Sequence, residues 1–252
     1  MSGMTNDISR KTTEEYKLTE RVRRKFRTGI RDFKLIEAGD CILVGLSGGK
    51  DSMALLELLG EYKKHMREKM QIFALHVRMK NVDYQSDFRY LEDFSKTCGA
   101  EFVLKTVGFE EDRERGRTPC FLCSWNRRKV LFETAKELGC NKIALGHHQD
   151  DILKTSMMNL TFTGSFSTMP VFLQMKKMPL VIVRPLCKVE EADLVEWAKY
   201  RAYQPLKKLC PFETESNRTG INKVMDAMKT LNPEYRYHLW KALERDGKLV
   251  EK

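Results

Sequence analysis

Three clusters of residues in this chain have types and spacings suited to chemistry. The first is Ser47-Gly-Gly-Lys-Asp-Ser52. It lies between an apolar run, Ile42–Leu46, and a segment whose Met53, Leu55, Leu56 and Leu59 give one apolar helical face. A strand, a glycine turn and a helix N-terminus in that order make an anion site, because free backbone N–H groups converge there and the helix dipole favours negative charge. Gly48 and Gly49 let the backbone approach a phosphate with no Cβ in the way. Lys50 adds a cation, Ser47 and Ser52 add hydroxyls, and Asp51 could hold Mg²⁺. The spacing is neither Gly-x-x-x-x-Gly-Lys-Ser/Thr nor Gly-x-Gly-x-x-Gly.

The second cluster is Cys120-Phe-Leu-Cys123, where a charged loop enters a helix. Thiols at i and i+3 point to one side of a helix and can share a metal or cluster. A helix N-terminus also favours the thiolate. A redox dithiol and a zinc site compete with a cluster, although structural zinc wants four ligands and the nearby sequence has no second Cys-x-x-Cys and no His pair. An iron–sulfur cluster needs a third thiolate, and Cys210, in an irregular loop, is the best candidate. Cys41, Cys98 and Cys140 read as small buried residues, and so does Cys187, the most ambiguous of them. The third cluster is Gly146-His-His-Gln-Asp-Asp151. One of its aspartates suits Mg²⁺ or the orienting of a nucleophile and the other a helix N-cap, the bland reading of Asp150, and the residues leave open which is which.

The elements that must position these clusters alternate regularly. Strands are expected at 42–46, 71–77, 102–107 and 142–146, with helices over 50–69, 85–98, 120–138 and 150–160. That alternation predicts an α/β fold: a Rossmann-like, doubly wound parallel sheet with helices on both faces. Ligands then bind outside the carboxyl ends of the strands, at Gly45–Ser47, His76–Arg78 and Gly146–Asp151. Residues 1–13 read as frayed, and residues 14–36 as a basic N-terminal helix ahead of a domain over 37–252. Arg21, Arg23, Arg24, Lys25, Arg27 and Arg31 crowd one part of that helix, as either a solvated face or a phosphate-backbone surface. Residues 163–179 read as a loop, a short strand follows at 180–184, and helices are expected over 189–200, 218–231 and 234–244.

The chain has 252 residues and a formal net charge of +10, a basic excess that points to a polyanion such as nucleic acid. No apolar run approaches the ~20 residues of a membrane span, and the polar N-terminus has no secretory character. Its 7 cysteines suit a reducing, cytoplasmic compartment.

The Ser47–Ser52 loop resembles the pyrophosphate loop (PP-loop) of the ATP pyrophosphatases. Taken with Cys120-x-x-Cys123-Ser124, Arg127-Arg128, Lys142-Ile-Ala-Leu-Gly-His-His-x-Asp-Asp151, Arg184-Pro185-Leu186 and Leu209-Cys210, the chain resembles the tRNA 2-thiocytidine synthetase family over about residues 15–230. The resemblance implies that ATP and Mg²⁺ bind at Ser47, Gly48, Gly49, Lys50, Asp51 and Ser52, with His76 and Gly146 at the nucleotide and Lys50, Asp51 and Asp151 catalytic. It implies a [4Fe-4S] cluster on Cys120, Cys123 and Cys210, whose open iron presents sulfur. It further implies adenylation of a cytidine O2 in tRNA, replacement of that oxygen by sulfur (at position 32 in the known family), a sulfur donor such as a cysteine desulfurase, no membrane association and a homodimer. Residues 211–217, Lys207-Lys208 and Trp125-Asn126 depart from the family pattern and leave the modified nucleotide open. A persulfide thiolase, a lysidine-type ligase and a non-catalytic RNA-binding protein are the alternatives.

Overall fold

In a computed structural model, residues 2–66, 70–84, 88–108, 118–206, 208–209 and 217–252 are described. The elements in chain order are α1 (Ser2–Phe33), β1 (Cys41–Gly45), α2 (Lys50–Lys64), β2 (Gln71–Met79), β3 (Asp83–Tyr84), α3 (Arg89–Thr97), β4 (Glu101–Val107) and α4 (Pro119–Glu137). They continue with β5 (Lys142–Ala144), α5 (Gln149–Thr163), β6 (Phe172–Gln174), β7 (Val181–Val183), α6 (Glu191–Tyr200), β8 (Lys208–Leu209), α7 (Asn217–Leu231), α8 (Tyr235–Arg245) and β9 (Val250–Glu251).

Seven strands form one sheet in the order β4-β2-β1-β5-β7-β6-β9, and β3 pairs with β8 beside it. The β4, β2, β1, β5 and β7 strands are mutually parallel. The β6 strand runs antiparallel to β7 and parallel to β9. Strand periodicity sorts the core onto two faces. Ile42, Val44, Ile72 and Ala74 join one apolar cluster with α1, α2, α5 and α6. Leu43, Phe73 and Leu75 join the other, under Val130 and Ala135 of α4. The doubly wound reading from the β-α alternation therefore holds.

Three local expectations are corrected. The first helix begins at Ser2 rather than after a frayed segment to Thr13. No glycine or proline interrupts residues 4–28, so nothing in that stretch breaks the helix. It ends where Lys34 takes a left-handed φ of 51° and the Leu35 amide donates back to the Ile30 carbonyl at 3.0 Å. Its Val22, Phe26 and Ile30 stripe is buried in the main core. Second, α2 ends at Lys64 rather than Lys69. Third, the segment read as a loop over 163–179 contains β6, and β9 was not expected at all. No helix among the described residues is long and apolar enough to cross a membrane.

Candidate active site at the carboxyl edge of the sheet

The Ser47–Ser52 loop leaves β1 at the carboxyl edge of the sheet and enters α2 through Gly49. Ser47 Oγ and Ser52 Oγ lie 3.0 Å apart, the Gly49 amide donates to Ser47 Oγ at 3.3 Å, and Ser52 Oγ donates to the Gly49 carbonyl at 2.9 Å. Both serines therefore brace the loop from within, while the first amides of α2 have no partner in their own helix. Gly48 holds a φ of +82°, and a Cβ there would lie 2.5 Å from the Leu206 Cβ. The Leu206 amide donates to the Gly48 carbonyl at 2.9 Å, which fixes the late chain segment over the loop.

Gly146 meets the loop from the end of β5. A Cβ at Gly146 would lie 3.0 Å from the Ser52 nitrogen and 3.1 Å from the Asp51 carbonyl. The third strand end, Gly146–Asp151, thereby lies against the backbone of the loop that leaves the first, and the glycine is what allows it. Lys50 Nζ lies 3.3 Å from Asp51 Oδ2 and 3.6 Å from Glu191 Oε1. Lys154 Nζ, from α5, reaches the other Glu191 oxygen at 3.2 Å. Glu191 thus bridges two lysines at the loop. Neither Lys154 nor Glu191 had been singled out in the sequence. Lys154 follows Asp151 by one helical turn, which is a usable signal, but Glu191 is brought in by α6 and has none.

Four buried side-chain atoms without a partner among the described residues surround this edge: Asp51 Oδ1, His76 Nε2, Arg127 Nε and His148 Nδ1. Buried polar atoms without partners are costly, and such a concentration marks a place built to receive polar groups. Burial raises the Asp51 carboxyl above its usual range, against the pull of Lys50 and His148. An unpartnered buried carboxylate oxygen there suits a hard cation such as Mg²⁺. Burial also holds His76 below its usual value, so the ring is neutral. Its Nδ1 donates to the Leu46 carbonyl at 2.8 Å, leaving Nε2 as an acceptor. His76, expected at the nucleotide from the resemblance, has its ring lining a pocket.

That pocket, of about 180 Å³, lies between Gly45–Ser47, Leu75–Val77, Leu145 and the Arg127 and Leu131 side chains of α4. Cys120, Cys123, Arg127 and Leu131 recur at three- and four-residue intervals, so they form one stripe along α4. The helix starts cleanly because Thr118 caps it, its Oγ accepting from the Phe121 amide at 3.3 Å, and Pro119 occupies the first turn. Cys120 is exposed and Cys123 half-buried. The third expected thiol, Cys210, lies outside the described residues. Its neighbour Leu209 pairs with Asp83 just beyond the end of β2, on this same side of the sheet. The remaining cysteines behave as small core residues: burial pushes the Cys98 and Cys187 thiols up to about 12 and the Cys140 thiol higher. Cys41 rests its sulfur 3.1 Å from that of Cys140.

The two aspartates of the third cluster divide their work, but not by capping as expected. The N-cap of α5 is His148, not Asp150. Asp150 takes Arg236 Nη1 at 2.6 Å and the Glu191 amide at 2.8 Å. Burial works to raise it, and these two donors overcome that and hold it below the usual carboxylate range. Asp151 accepts from the His148 amide at 3.1 Å and lies 3.4 Å from His148 Nε2. Both aspartates lie within 4 Å of a His148 ring nitrogen, and Asp151 is the one whose charge bears on Asp51. Arg184 is buried, donates to the Pro170 carbonyl and to His147 Nδ1 at 3.3 Å, and is depressed by that burial to about 10.

A glycine loop at the mouth of a parallel sheet, with cations, orphaned polar atoms and a thiol stripe beside it, defines a nucleotide-type phosphate site on an α/β scaffold. A family model described as a PP-loop domain matches residues 18–218. A tRNA-cytidine(32) 2-sulfurtransferase from Acidovorax ebreus is 36% identical over 217 residues, covering 84% of this chain and 68% of the relative. One from Dichelobacter nodosus is 34% identical over 239 residues, covering 93% and 89%. Among solved structures, the U34-tRNA thiolase NcsA from Methanococcus maripaludis with its [4Fe-4S] cluster superposes with a TM-score of 0.75 at 26% identity, over 94% of this chain and 81% of that one. The chain belongs to the PP-loop family and, within it, to the tRNA-cytidine(32) 2-sulfurtransferases.

Proposed function

We propose that this protein is an ATP-dependent tRNA sulfurtransferase that converts a cytidine, at position 32 by likeness to its relatives, to 2-thiocytidine. The observation that carries the reading is the α4 stripe. Its Arg127 and Leu131 line the pocket beside the phosphate loop, and one and two helical turns before Arg127 it presents Cys123 and Cys120. An activating half and a thiol half thus share one edge of the sheet.

In this reading the α2 amides and Lys50 hold the ATP phosphates, displacing Glu191 from Lys50. Asp51 takes Mg²⁺, and its unpartnered buried oxygen supports that fit. Asp151 fixes the His148 backbone beside it. The cytidine O2 attacks the α-phosphate and pyrophosphate leaves, which turns a poor leaving group into AMP. Lys50 and Lys154 offset the charge that grows on the departing pyrophosphate. Cys120, Cys123 and Cys210 would hold a [4Fe-4S] cluster, which would present the donor's sulfur for replacement of O2 with loss of AMP. We assign RNA contact to the basic helical segment 1–36 through Arg24 and Arg27, and catalysis to residues 37–252. A cysteine desulfurase as sulfur source, a homodimer and a cytoplasmic location follow from the family resemblance.

Anaerobic purification followed by absorption and EPR spectra tests the cluster, and mass spectrometry of tRNA nucleosides from a deletion strain tests the product. The expected results are a cluster signal that falls in Cys210→Ala, and loss of 2-thiocytidine on deletion. A Cys210→Ala protein with a full cluster and full thiolation contradicts the ligand assignment, and unchanged 2-thiocytidine removes the substrate. Lys50→Ala should lower pyrophosphate release about a hundredfold or more, the scale of removing one charge-stabilising donor. Undiminished release would refute the loop assignment.

A further inference from the structure

The outer face of α4 is chemically unlike the rest of that helix. Phe121 and Trp125 are 46% and 48% exposed. They stand four residues apart, so they are neighbours on the helix surface. Arg128 follows on the same side, and Lys129 Nζ lies 5.8 Å from the Trp125 ring centre. This face is about a third of a turn round the helix from the Cys120–Arg127 stripe. Two large aromatic rings are therefore held beside the thiols, flanked by cations, on a helix whose opposite side is fixed to β1, β2 and β5.

We infer that Phe121 and Trp125 form a stacking platform for an unpaired RNA base next to the one being modified, with Arg128 and Lys129 taking the adjoining phosphates. The inference rests on the reading of the protein as a tRNA-modifying enzyme. A base in a single-stranded loop presents a π-face that every duplex hides, and aromatic side chains beside cations are what hold such bases. An RNA nucleotide must also leave its stack to reach the phosphate loop, and its neighbour then needs a new surface. Lys129 stands 3.7 Å from Glu133 in an exposed pair that a phosphate can displace, and with Arg128 it favours RNA over a protein partner.

Tryptophan emission reads this directly. The chain has 3 tryptophans. Trp197 and Trp240 are 1% and 7% exposed, so the solvent-exposed signal belongs to Trp125. Titrating the full-length protein with an anticodon stem-loop RNA should quench that signal saturably, and a fully paired duplex of the same length should not. Trp125→Ala should weaken stem-loop binding roughly five- to hundredfold, the range for losing one base–aromatic stack, and leave duplex binding unchanged. Trp125→Phe should keep most of the affinity while removing the quenching. Equal binding of the stem-loop by Trp125→Ala, equal losses on both RNAs, or a change of oligomeric state in that variant would each overturn the platform, the last by making this face a subunit contact. Nucleoside analysis is independent: a protein that stacks loop RNA but makes no 2-thiocytidine sinks the proposed reaction and leaves the platform.

Discussion

Asp150 is 9% exposed at the first turn of α5, with its two oxygens divided between Arg236 of α8 and the Glu191 amide of α6. Removing Arg236 leaves that carboxylate buried with one donor gone. Arg236→Ala should cost up to about 3–5 kcal/mol, the scale of breaking one partner of a buried pair. The pH dependence has a definite sign. Arg236 and the Glu191 amide hold Asp150 below its ordinary range, so its stabilisation is full above the unfolded carboxylate value and is lost as pH falls through the lower folded one. Urea titrations should therefore show the full gap between wild type and Arg236→Ala at neutral pH and a narrowing gap in acid. A gap that stays constant into acid would mean the destabilisation comes from lost packing. Among the described residues the adjacent Asp151 makes no such bond to a distant element; it meets His148, the cap of its own helix. Two neighbouring aspartates with the same local sequence context thus serve different purposes, and only the elements packed around them decide which.

Glycines separate function from stability at the level of elements. Gly146 lets the end of β5 lie against the start of α2, where an added Cβ would press on the backbone of Ser52 and Asp51. Gly60 lets α2 lie against the end of α3, where an added Cβ would sit 2.2 Å from the Cys98 carbonyl oxygen. Gly146→Ala should displace the phosphate loop and lower ATP turnover strongly, with a modest change in thermal midpoint. Gly60→Ala should do the reverse, destabilising by about 1–3 kcal/mol or more through overpacking while turnover per folded molecule holds. Paired melting curves and pyrophosphate assays check both, and a turnover defect confined to Gly60→Ala would contradict the assignment. The elements themselves were readable because their periods are local. The alternation in β1 and β2 sorts residues to two faces, and the Val22, Phe26, Ile30 stripe marks α1. The short β6 and β9 strands were not readable, since three or two residues carry no period and become strands only by pairing with each other and with β7.

Charge is organised at the scale of the molecule. The six cations of α1 do not act alike. Arg21 and Lys25 pair with Asp193, and Arg23 with Glu61, so those three tie α1 to α6 and α2. Among the described residues Arg24 and Arg27 have no carboxylate partner, and with Arg31, Lys17 and Tyr16 they line a groove of about 890 Å³. Arg21, Arg23 and Lys25 are thus structural ties, and Arg24 and Arg27 are the cations left open to the phosphate backbone proposed above. In tRNA-binding titrations over a salt series, Arg24→Ala with Arg27→Ala should reduce the slope of log affinity against log salt by about one unit per arginine. Arg23→Ala should act on thermal stability instead. An unchanged slope in the double variant would place the RNA elsewhere.

The sequence by itself determined the phosphate loop, the thiol pair, the parallel α/β sheet and the edge at which they meet. Each of these rests on neighbours a few residues apart, and short-range spacing is written directly in the chain. Tertiary structure alone decided that Glu191 bridges Lys50 and Lys154, that Leu206 covers Gly48, that His76 and Arg127 wall one pocket, and which aspartate Arg236 binds. Those partners lie tens to more than a hundred positions apart. No period or motif encodes such a meeting, because it is fixed by how twisted strands and apolar helix faces pack together.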